Sequence, residues 1–164
     1  MAVVNTLTTP LTEQDAAEDL AATNGYPLYV QTGVVEVAAA DSDTSTFRVL
    51  RLSSKAVLVS LEVACDALGA SAAYDIGAYN IAANGGAVID ADEFASEVSM
   101  SSAVAWTHVL EEAAPTDKDK LGKPLWERLG YTSDPGKSID IVATGNTAGD
   151  AAGSICLRAT YYIK

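Results

Sequence analysis

Residues 56–65 put Val57, Val59, Leu61, Val63 and Cys65 on one side of an alternation and Leu58, Ser60, Glu62 and Ala64 on the other. Successive side chains of a strand point to opposite faces, so this pattern predicts a strand buried on one face. A chain built around such strands must cover that face with a second layer. Shorter runs share the character: Leu28-Tyr29-Val30, then Val34-Val35-Glu36-Val37 beyond Gly33, then 47–52, 74–81, 104–111, 138–144 and 154–162. Gly77 interrupts the 74–81 run and predicts a bulge or a close backbone contact. Asp41-Ser42-Asp43-Thr44-Ser45 and Asn84-Gly85-Gly86 read as turns. Seven or eight short strands without long helical periodicity predict an all-β fold, a β-sandwich or jelly-roll-like domain.

One or two short helices complete it. Asp90 followed by Glu93 has the spacing of a capping box, which predicts one or two helical turns around Phe94. Pro124-Leu125-Trp126-Glu127-Arg128-Leu129-Gly130 places proline at a helix start and glycine just past its end, with Leu125 and Leu129 one turn apart. Trp126 is expected to anchor that helix to the sheet.

The opening of the chain is different. Residues 1–9 are polar and β-branched and precede Pro10, so they read as an extended arm. Thr12 with Glu13 and Asp15 starts a helix that Asn24-Gly25 would stop, yet its only large apolar residues are Leu11 and Leu20. A short helix with so little to bury is marginal in water. The division that follows is an N-terminal arm, 1–27, which orders against a partner, and a β-sandwich domain, 28–164. Leu7, Leu11, Tyr26, Leu28 and Tyr29 are the expected interface anchors.

Charge narrows the partners. Twenty-two acidic residues against ten basic ones give a net charge of −12. No lysine or arginine precedes Arg48, whereas seven acids do. Such a surface repels phosphate backbones and anionic headgroups, so neither nucleic acid nor a membrane is the expected partner. Residues 1–20 lack the basic start and apolar stretch of a secretory signal, and no run reaches the roughly 20 apolar residues of a membrane span. The expectation is a soluble protein made in a cytosol.

Catalytic chemistry is poorly supplied. The single histidine, His108, sits in an alternating run and is not accompanied by a nucleophile-elbow motif, so it reads as a strand residue rather than a general base. Cys65 and Cys156 stand alone and fall on opposite strand faces, which argues for free thiols and against a structural zinc site. Asp41/Asp43 and Asp90/Asp92 cluster oxygen ligands in turns without the calcium-loop pattern, and whether they bind a cation is open. Glycosidase chemistry would need an aromatic-lined cleft, and Trp106 and Trp126 are the only tryptophans. The reading is no enzyme, with no catalytic residue, cofactor or metal assigned.

Three strings carry a resemblance: Tyr74-Asp75-Ile76-Gly77-Ala78-Tyr79; Gly85-Gly86-Ala87-Val88-Ile89-Asp90-Ala91-Asp92-Glu93-Phe94-Ala95; and Lys123-Pro124-Leu125-Trp126-Glu127-Arg128-Leu129-Gly130-Tyr131, with the closing strand 154–162 behind them. Together they resemble small virion structural proteins of tailed bacteriophages, often encoded beside the major capsid protein. The resemblance runs from about residue 46 to the end and does not include the arm. It implies a capsid decoration or cement protein that binds the major capsid protein on the outer surface of the assembled shell and stabilises contacts between capsomers. It further implies a homo-oligomer, a trimer, made in the host cytoplasm and carried on the virion. Other virion parts (a head-fibre base, a tail-tube or head–tail joining protein) are the alternative. A carbohydrate-binding sandwich for host attachment is another, although alternation puts Tyr161 and Tyr162 on opposite faces. The acidity either complements basic capsid patches or keeps the virion surface soluble, and only the first makes binding weaken with salt.

Overall fold

The computed structural model describes residues 26–112 and 118–164. Eight strands follow in order: β1 (Tyr29–Val37), β2 (Thr46–Ser53), β3 (Ala56–Cys65), β4 (Ala73–Asn80), β5 (Val88–Ser99), β6 (Val104–His108), β7 (Ser138–Thr147) and β8 (Gly153–Ile163). One short helix, α1 (Leu125–Arg128), precedes β7. The strands form two four-stranded sheets ordered β1-β8-β3-β6 and β2-β7-β4-β5, antiparallel throughout. Hydrogen-bonded neighbours therefore include β1 with β8, β2 with β7, β3 with β6 and β4 with β5. That nesting is the strand order of a jelly roll, a long antiparallel ribbon wound into two sheets.

The core lies between the sheets. Leu61, Val63 and Cys65 of β3, Ile155, Leu157 and Ala159 of β8, Tyr74, Ile76 and Ala78 of β4, and Ile139, Ile141 and Ala143 of β7 all face inward and are buried. Small residues let the layers approach closely. A Cβ on Gly33 would come within 2.1 Å of the Val49 carbonyl oxygen, where β1 crosses the bulge in β2. A Cβ on Gly77 would come within 2.2 Å of the Asp90 and Ala91 carbonyls, so the close backbone contact expected there is present.

Four local expectations need correction. Val57 and Val59 do not share the core face of β3: the register with β8 shifts between Leu58 and Ser60, Ala56 and Leu58 take the inward positions, Val57 is buried outside the core cluster, and Val59 is 50% exposed. Two short strands around Gly33 are one continuous β1, because glycine is the residue that fits against Val49. Asp90 to Phe94 is not a helix. It belongs to β5, whose register with β4 shifts three times so that Ile76 faces Ala95 and Ala78 faces Asp90. The acids there serve ion pairing and a local turn instead. Finally, α1 forms where Pro124 and Gly130 (φ +79°) bracket it, but fully buried Leu125 is its anchor, while Trp126 is only half-buried and donates its backbone N–H to Ser54 O.

Candidate interface surface

Three of the expected anchors lie among the described residues. Leu7 and Leu11 lie outside them. Tyr26, Leu28 and Tyr29 are 50%, 62% and 46% exposed at the entrance to β1. The structure divides them between two sides of the sheet. Tyr29 pairs with Tyr161, on the core-facing side of β8, with ring centroids 5.7 Å apart. Tyr26 instead stacks on Tyr162, on the outer side, at 5.0 Å and 20° between planes. Tyr161 and Tyr162 thus do occupy opposite faces, and each already carries an aromatic partner.

Beyond them the outer face of the β1-β8-β3-β6 sheet holds apolar side chains that sequence reasoning did not single out. Val30 and Val34 of β1 are 64% and 57% exposed, and Trp106 of β6 is 41% exposed. Alternation fixes the valines: Val35 packs on the core and Val37 is buried, so even-numbered β1 positions face out. The signal was available in Val30-Gln31-Thr32-Gly33-Val34, had that run been read as one strand.

A charged ladder crosses this face. Arg158 Nε donates to Glu62 Oε2 at 2.8 Å across the β8–β3 pair, and its guanidinium lies 4.3 Å from the Trp106 ring centroid. The hydrogen bond from Arg158 holds the Glu62 carboxyl below the usual carboxylate range. His108 faces Glu62 in the register and approaches Glu111 at 3.6 Å. The histidine is therefore a sheet-edge residue among acids, with no nucleophile paired to it in the described residues.

The remaining candidates have structural partners. Asp41 Oδ2 accepts from Ala38 N–H at 2.7 Å and Asp43 Oδ1 from Ala148 N–H at 2.7 Å, so both tie turns. Asp90 Oδ1 accepts from Asp92 N–H, and burial together with the adjacent Asp92 pushes the Asp90 carboxyl up. Among the described residues, no group of three or more His, Cys, Asp and Glu side chains is placed to hold a metal ion. Cys65 and Cys156 are free thiols on neighbouring strands, and burial pushes the Cys65 thiol up.

Two ion clusters stiffen the second sheet. Asp140, 1% exposed at its side chain, accepts from Arg48 at 2.8 Å and Arg51 at 2.7 Å. Burial pushes the Asp140 carboxyl up, but the hydrogen bonds and charges of Arg51 and Arg48 outweigh it and hold the group below the usual range. Glu93 pairs with Arg128 at 2.8 Å and with Lys120 at 3.0 Å, joining β5 to α1. These groups are consumed by the fold, while Leu28, Val30 and Val34 leave exposed apolar area at β1.

No protein-family model and no curated protein matches this chain. Solved structures do. A chain of the cyanophage Pam1 capsid asymmetric unit is similar over 100% of both chains, at 18% identity and a TM-score of 0.52. A chain of the capsid of Ralstonia phage GP4 is similar over 87% of this chain and 88% of its own, at 13% identity and a TM-score of 0.61. At these identities the likeness is one of fold.

Proposed function

We propose that this chain is a non-catalytic structural protein of a tailed-phage virion, which binds the assembled capsid as a decoration or cement protein and stabilises contacts between capsomers. The observation that carries the reading is the fold likeness, over most or all of the chain, to chains of two phage capsids. The sequence strings around Gly77, Asp90 and Trp126 point the same way independently.

The molecule has the properties such a part needs. The polar clusters among its described residues are ion pairs and turn ties, which suits a scaffold. Several exposed apolar side chains, Tyr26, Leu28, Tyr29 and Val30, gather at the entrance of β1, next to the arm. In this reading the arm and the Tyr26–Tyr29 segment contact the major capsid protein and sister copies, a trimer on the outer shell surface. Acidity elsewhere keeps the decorated virion soluble.

The test is co-sedimentation of the purified protein with capsid shells that lack it, followed by heating. Saturable binding that raises the rupture temperature is the expected result. Failure to bind at any ionic strength overturns the cement reading and transfers the protein to a tail or joining position.

A further inference from the structure

A sheet edge is a row of unpaired backbone donors and acceptors, and proteins blunt such edges with bulges, charges, short length or a covering segment. Three of the four edges here are blunted. β6 has five residues and a register shift. β2 has a bulge between Arg48 and Leu50 and carries two arginines. β5 is bulged three times, carries four acids, and is capped where Glu112 N–H donates to Phe94 O and the Glu112 carboxylate accepts from Ser96 N–H.

β1 has none of these devices among the described residues. Its nine residues pair with β8 in unbroken register, it contains no lysine, arginine or proline, and Glu36 is its only charge. β8 is its only strand neighbour, so its far edge has no strand partner among the described residues. Val30 and Val34 flank that edge on the outer face.

The chain itself contains a segment fit to occupy it. Residues 2–9, Ala2-Val3-Val4-Asn5-Thr6-Leu7-Thr8-Thr9, are uncharged and rich in β-branched side chains, and Pro10 closes them off. We infer that residues 2–9 of one copy add as a strand to the free edge of β1 in a second copy. One observation favours a second copy over the chain's own arm. The Tyr26 ring lies on Tyr162 of β8, so the chain reaches β1 from the side away from its free edge. The sixteen residues 10–25 span at most about 55 Å, enough to reach a neighbour. Donation is one-directional, arm to edge, and such heterologous contacts close into rings where the rotation closes and continue as filaments where it does not, whereas β1 pairing with β1 would stop at a dimer. Backbone hydrogen bonds supply affinity in this mode, and the alternate side chains supply register. The inference goes beyond the capsid reading, since strand addition needs only copies of this chain.

Sedimentation and amide hydrogen exchange test it on three proteins: the full chain, a deletion of residues 2–9, and the folded-edge variant Val30→Lys/Val34→Lys. Expected is an oligomer whose β1 amides exchange at least tenfold more slowly than in the deletion, which is monomeric with the same circular dichroism. The lysine variant behaves like the deletion. A peptide of residues 2–9 added to the deletion protein restores β1 protection. Unchanged β1 exchange after the deletion overturns the inference, as does protection that persists in the full chain diluted to a monomer, which would place the chain's own arm on the edge. Shell binding by the deletion protein reads the capsid proposal separately.

Discussion

Glu93 separates the two accounts of β5, because a helix cap and a buried ion pair differ in what their loss costs. The Glu93 and Arg128 side chains are 3% and 5% exposed and 2.8 Å apart, and Arg128 also donates to Leu110 O at 2.9 Å and lies 5.1 Å from the Phe94 ring. Removing one partner strands the other charge away from water, which costs about 3–5 kcal/mol. A capping role would cost about 0.5–2 kcal/mol. For a domain of this size each kcal/mol moves Tm by about 2–4 °C, so Glu93→Ala is expected to lower Tm by about 6–20 °C. The assay is urea unfolding followed by tryptophan fluorescence, with an unchanged m-value confirming that the unfolding reaction is the same. Arg128→Met should cost less than Glu93→Ala, because Lys120 still holds the Glu93 carboxylate, and Glu93→Ala/Arg128→Met should cost clearly less than the two singles summed, since neither charge of the pair is then left buried. A loss below about 1 kcal/mol for Glu93→Ala, or additive singles, refutes the ion-pair argument.

Three further outcomes are expected. Asp140 sits below the ordinary carboxylate range when folded, so its contribution is present above about pH 4 and is lost as pH falls through the folded value; Asp140→Asn lowers Tm at neutral pH and flattens the acid side of a Tm-against-pH curve. Asp90 has the opposite sign: its raised carboxyl favours folding in acid and opposes it as pH rises, so Asp90→Asn raises Tm at pH 7 and changes nothing below about pH 4, read from the same curves. Gly33→Ala drives a Cβ onto the Val49 carbonyl oxygen and is expected to cost about 1–3 kcal/mol or more by urea unfolding, whereas Gly136→Ala has open space around its Cβ and pays only for its positive φ.

The alternation in Leu61, Val63 and Cys65 was legible because those residues obey a purely local rule. The outward turn of Val59 was not, because a bulge depends on the register with β8, a strand nearly 100 residues away in sequence. Asp90 and Glu93 fitted a helix-start spacing equally well as residues; only the approach of β5 over Gly77 and of Arg128 towards Glu93 makes strand the better state. The exposure of Tyr26, Leu28 and Tyr29 was legible, since nothing near them in sequence could cover them. Val30, Val34 and the free edge of β1 were hidden by Gly33, which looks like a break until the backbone of β2 is seen beside it.

The nested pairing also sets an order of assembly. β4 and β5 are joined by a short connection, whereas β1 meets β8 only after more than 100 residues have been positioned between them. Loop-closure entropy grows with separation, and sheets dominated by distant pairings fold slowly. Folding is therefore expected to spread outward from the β4–β5 hairpin, through β3 with β6 and β2 with β7, and to finish when the two ends of the ribbon zip together. Unfolding should begin at that same seam, so mechanical pulling on the two termini would peel β1 from β8 one rung at a time, at forces far below those needed to shear the strands sideways.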